Sequence, residues 1–160
     1  MLKPPQRWAV IAAWVAVAAG LLPVIWRLHM LVWGAGWSPA PEFQHGGRLF
    51  YVLGLIAVET IASLLVLGLV QPWGERIAGR RIPPGLVVAI AATGATVVSL
   101  IIAVTDWQLV ALTLQGISNP VTQVEAGWKR AFMLAHYAPW VLWPIGLWVA
   151  IVAFARRHWA

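Results

Sequence analysis

The chain has 160 residues, 61% of them hydrophobic and 10% charged, with a mean hydropathy of +0.81; soluble domains carry about 25% charged residues, so a soluble globular enzyme is excluded in favour of one integral-membrane bundle. Cysteine is absent, which excludes disulfides, thiolate catalysis and Cys-ligated metals, and with them a thiol-dependent quinone or vitamin K reductase. The net charge of +6 comes from residues at the borders of apolar runs, where they set topology and touch anionic membrane lipid, so no nucleic-acid partner is expected.

A basic leader with Lys3 and Arg7 precedes the first predicted span, about residues 8–33. Trp8 and Trp33 stand at its two ends as interfacial anchors. The run is too long for a signal-peptide core and no small-residue cleavage site follows it, so it is expected to be retained. Pro23 lies inside it and predicts a kink, because it removes a backbone donor and crowds the carbonyl of Ala19. Arg27 and His29 follow in the last two turns. Arg27 has two readings: it snorkels to the outer headgroups, or it turns inward towards the second span. The Gly- and Pro-rich stretch 34–48 contains Glu42 and His45 and reads as an ordered outer loop or lid.

The second predicted span, 49–70, contains one ionisable group, Glu59. At ~1.5 Å per residue this carboxyl lies ~15 Å deep, near the middle of a hydrocarbon core ~30 Å thick. An acid there costs roughly 2.5–3.5 kcal/mol to insert and faces a bundle interior or a cavity. Helical spacing groups Tyr51, Leu55, Glu59, Ala62 or Ser63, and Val66 on one face. Gly54, Ala57 and Ala62 permit close helix approach. Residues 71–85 form a basic, proline-bracketed inner loop with Arg76, Arg80 and Arg81. The third predicted span covers 86–105, where Thr93, Gly94, Thr96 and Ser99 read as packing and hydrogen-bonding positions.

Residues 106–135 are too polar to span. Asn119 and Pro120 read as an N-cap and a first-turn proline, and the helix they start is expected to continue into the fourth span. Glu125 and Lys129 are spaced for an i,i+4 pair. The fourth span, 137–154, carries Pro139 and Pro144, with Trp140 and Trp148 on one stripe and Trp143 nearby. Seven basic residues (Lys3, Arg7, Arg76, Arg80, Arg81, Arg156, Arg157) fall on one side and three (Arg48, Lys129, Arg130) on the other. The positive-inside rule therefore predicts an all-α, four-helix transmembrane bundle in the cell's inner (plasma) membrane, both termini cytoplasmic, with the extracytoplasmic loops as a cap. No internal repeat is visible and the halves are not an inverted pair, which weakens a transporter reading.

Glu59 has two chemical options. Burial keeps it a neutral acid, a usable proton donor, or a nearby Arg or His keeps it ionised. The twelve tryptophans divide between belt anchors and residues able to line a cavity, where aromatic faces attract cations. The candidate catalytic residue is Glu59. The candidate substrate-binding set is Tyr51, Trp26, Arg27, Trp140, Trp143 and His136. His29, His45 and His136 share the outer half but show no HxxxH or HxH spacing, so neither a metal site nor a cofactor is expected.

Glu59, Pro72-Trp73-Gly74-Glu75 and Gly79-Arg80-Arg81-Ile82-Pro83 form a pattern that resembles a group of small four-helix membrane proteins of high-GC bacteria. That resemblance implies a fold and no activity. An intramembrane acid among many aromatics also resembles, in site chemistry alone, the integral-membrane terpene cyclases, which protonate an epoxide or alkene of a prenylated substrate. The expectation is therefore a membrane enzyme acting on a lipophilic, isoprenoid-like substrate, with Glu59 as general acid. Glu59→Gln is expected to abolish turnover and leave the melting temperature nearly intact. The alternatives are a non-catalytic lipid or small-hydrophobe binder, an accessory subunit, and a proton-coupled transporter. The oligomeric state stays open.

Overall fold

The computed structural model describes residues 4–33, 46–77 and 80–159. Lys3, Glu42, His45 and most of the expected outer lid lie outside these. The described chain is almost entirely helical, and four of its helical stretches are long and apolar enough to cross a membrane.

Helix α1, Arg7–Trp33, runs through Pro23, whose ring is buried. Helix α2, Gly46–Leu65, tightens into a 3-10 turn at Val66–Leu69. A second 3-10 turn, Pro72–Glu75, leads into a minimal antiparallel ladder of β1 (Arg76–Ile77) and β2 (Arg80–Arg81), with Arg76 opposite Arg81. Helix α3 covers Pro84–Leu114, opening on a proline whose missing N–H would have had no helical partner there.

Two expectations about the second half are corrected. The third helix does not stop at 105 but continues nine residues further, to Leu114. Asp106, Trp107 and Gln108 limit where a membrane can end, yet none of them ends a helix, and the run LVALTL beyond them favours one. Conversely, the helix started at Asn119 does not reach the fourth span. Asn119 accepts from the backbone N–H of Val121 (3.0 Å) and Thr122 (3.1 Å) and completes a capping box. That helix, α4, ends after Pro120–Gln123. Val124 turns extended and buries its side chain against Trp26 and Met133. The Arg130 guanidinium donates to the carbonyls of Thr122 (3.0 Å) and Val124 (2.9 Å), satisfying acceptors that a continuing helix would have used. Gly127 then takes φ +100, a conformation open to glycine, and the chain re-enters a helix. Helix α5, Trp128–Tyr137, passes through a 3-10 turn at Ala138–Val141, around Pro139, into α6, Leu142–Trp159.

Helices α1 and α6 are the central pair. Gly20 lies beside Trp143 and Ala16 beside Gly146, so the two run antiparallel. A Cβ on Gly146 would stand 2.7 Å from the carbonyl oxygen of Ala12, and Ala9, Ala13, Ala16 and Ala150 are buried along the same seam. Lipid tails are as apolar as leucine, so helices in a bilayer associate through close packing of this kind. Helix α2 packs on α1, with the turn that follows it reaching α6 as well, and α3 packs on α6. The segment of α4 and α5 lies against the Trp26 end of α1, where Trp26, Val124 and Met133 form a second small core.

Candidate functional site

The buried face of α2 consists of Val52, Glu59, Ser63 and, in the following turn, Val66. This face turns Glu59, only 7% exposed, towards α1. Arg27, two turns from the end of α1, turns inward to meet it. Its Nη1 donates to Glu59 Oε2, and the two form an ion pair between α1 and α2. Of the two directions open to Arg27 on sequence, the structure has the inward one.

Tyr137, where α5 ends, covers the pair. Its ring centroid stands 5.8 Å from the Arg27 guanidinium carbon, within the range of a cation–π contact. Tyr137 meets Trp140 edge to face at 5.8 Å. Trp26 packs on Phe132 at 6.1 Å. Phe132 in turn lies between His29, at 5.0 Å, and His136, at 4.2 Å. His136 Nδ1 is held 2.7 Å from the carbonyl oxygen of Phe132, so this ring is fixed on α5 one turn before Trp140. This end of the bundle thus gathers one ion pair and two sets of aromatic rings, Trp26 with Phe132, His29 and His136, and Tyr137 with Trp140.

Most of the expected site residues converge here, but not all. Arg27, Glu59 and Trp26 belong to it directly, and Trp140 and His136 through Tyr137 and Phe132. Trp143 is buried as well but packs lower, beside Gly20. Its indole Nε1 and that of Trp140 have no hydrogen-bond partner among the described residues. Tyr51 is not a wall of the site: it is 61% exposed, whereas its neighbour Val52 is 3% exposed. The helix explains the difference. Eight residues carry Tyr51 about 80° round from Glu59, while seven leave Val52 within about 20° of it. The sequence reading missed Tyr137 and Phe132. The signal for Tyr137 was present, one of only two tyrosines in the chain standing at the mouth of a span.

Chemically, the pair offers the spare guanidinium N–H groups of Arg27 as donors, the Glu59 carboxylate as acceptor and the Tyr137 hydroxyl as either. Around them the surroundings are aromatic and aliphatic. Such a site suits a molecule that is apolar over most of its length and carries one polar group. Among the described residues no three His, Asp or Glu side chains converge as metal ligands. No known protein family, curated protein or solved structure matches the chain.

Proposed function

We propose that this protein is a multi-pass plasma-membrane protein that binds a lipophilic small molecule at the Arg27–Glu59 pair. The pair engages the ligand's polar group, and Trp26, Phe132, Tyr137 and Trp140 line its apolar body. One observation carries the reading: an ion pair buried between two apolar helices and roofed by a tyrosine. Joining two helices by a desolvated Arg–Glu pair is an expensive device, since apolar residues of similar volume hold as well or better. Intramembrane charges of this kind mark ligand and ion pathways. Both termini are assigned to the cytoplasm by the distribution of basic residues, and the segment joining α3 to α6 forms a cap over the site.

The aromatic set favours a second, catalytic reading, in which the ligand is an isoprenoid-like substrate and the rings shelter a developing carbocation. That reading makes Glu59 the acid. A carboxylate accepting from Arg27 has no proton to give, so the chemistry would begin with Arg27 drawn away by the substrate and Glu59 protonated from water.

Organic extraction of the purified protein, followed by mass spectrometry, tests the binding reading. A lipophilic species is expected in near-stoichiometric amount in the wild type and absent from Arg27→Leu/Glu59→Leu, which removes both charges together. Equal recovery from a folded double variant overturns the proposal.

A further inference from the structure

The end of the bundle opposite Arg27 and Glu59 has a hollow of about 380 Å³ where α3 begins and α6 ends. Ile82, Pro83, Pro84 and Phe154 form its apolar wall; Glu75, Arg81 and His158 form its polar side. Glu75 already has a partner in α6. Its Oε1 accepts from Arg157 Nη2 at 2.5 Å, with His158 Nε2 3.7 Å away. His158 is itself tied down, stacked on Phe154 at 4.3 Å with Nδ1 2.9 Å from that residue's carbonyl oxygen. Arg81 is exposed and has no ion-pair partner among the described residues. The hollow therefore presents one unanswered guanidinium beside an apolar wall. Arg7, Arg76, Arg80 and Arg156 stand at the same end of the bundle, where Glu75 is the one acidic side chain among the described residues. Exposed Trp8, Trp73 and Trp159 also cluster there, the signature of headgroup depth.

We infer that this hollow seats the phosphate of an anionic membrane phospholipid. Arg81 donates to the phosphate oxygens, and the Pro83–Pro84 and Phe154 wall takes the glycerol and first methylenes. Guanidinium and phosphate match as fork to oxygens. The apolar wall argues against free phosphate, which would gain nothing from it, and the surplus of cations argues for an anionic over a zwitterionic head. The lipid-head site is independent of the site at Arg27 and Glu59.

Native mass spectrometry of the full-length protein in detergent tests the assignment, with dioctanoyl phosphatidylglycerol and dioctanoyl phosphatidylcholine as probes. Phosphatidylglycerol is expected to bind several-fold more tightly than phosphatidylcholine. Arg81→Gln should weaken it about five- to tenfold, the effect of one near-surface cation, whereas Arg80→Gln, outside the lining, should leave it within twofold. Millimolar inorganic phosphate should not displace the lipid. Equal binding of the two lipids by the wild type overturns the assignment without recourse to any variant. So does an unchanged affinity in Arg81→Gln, or displacement by inorganic phosphate, which would mark a free-anion site instead.

Discussion

A buried Arg–Glu pair stands or falls as a unit. Removing one partner leaves the other charged and without an answer in a medium that cannot solvate it, at a cost of about 3–5 kcal/mol. Glu59→Gln alone is therefore expected to lower the melting temperature markedly, not to leave it nearly intact as Glu59 considered by itself suggests. Arg27→Leu should do the same by stranding Glu59, while Arg27→Leu/Glu59→Leu should recover most of the loss. Thermal unfolding of the three variants in one detergent gives the coupling directly. Strictly additive losses would show that the two side chains do not depend on each other. Glu59 was legible in the sequence because a single acid stands out in a long apolar run, although a neutral acid that merely hydrogen-bonds a neighbouring helix would leave the same pattern. Arg27 was legible only as a choice, since an arginine near a helix end can reach headgroups or interior with the same arm. Tyr51 was misread because spacing groups residues on a face without saying where the face is centred. The buried stripe runs through Val52 and Ser63, and Tyr51 falls just beyond its edge.

Besides the ion pair, α1 and α2 meet where a serine hydroxyl lies over a glycine. Thr60, Thr93, Thr96, Ser99 and Thr113 all donate to the carbonyl four residues back, the usual recourse of a hydroxyl in an apolar helix. Ser63 does not. It is fully buried, its Oγ has no partner among the described residues, and it occupies the space over Gly20, where a Cβ would come within 2.2 Å of it. Gly20→Ala is expected to cost about 1–3 kcal/mol by overpacking this seam. Ser63→Ala in the same chain should return most of that, because the atom in the way is gone. Melting temperatures of the single and double variants measure it; no recovery in the double variant would place the obstruction at Trp143 instead. The existence of the long helices was plain from their apolar runs, and so was the start of α4 at Asn119. The ends were not. α3 outlasts its apolar core because polarity does not stop a helix. α4 stops because Val124 is drawn into the Trp26 core and Arg130 takes the freed carbonyls, a tertiary event with no local marker.

Which helix touches which could not be read from the chain at all. Helices α1 and α3 are apolar on every side, so no polar stripe marks an outer face, and only the small residues of α1 and the glycine at 146 hint at the central seam. The packing of α2 and α6 on α1, and of α3 on α6, nevertheless has a consequence for topology. It brings Arg7, the β1–β2 ladder, Arg156 and Arg157 to one end of the molecule and Arg48, Lys129 and Arg130 to the other. Of these described residues six cations stand against three. Short basic loops resist translocation, so the orientation proposed above puts the richer end in the cytoplasm. The chain contains no cysteine, which makes every introduced thiol a unique reporter. Arg80→Cys, exposed in the ladder, and Gln115→Cys, exposed just beyond α3, sample the two ends. In intact cells a membrane-impermeant maleimide is expected to label Gln115→Cys, and to reach Arg80→Cys only after permeabilisation. The reverse pattern would put the Arg27–Glu59 half towards the cytoplasm and the Arg81 hollow in the opposite leaflet, so one labelling experiment fixes the side from which each of the two sites is reached.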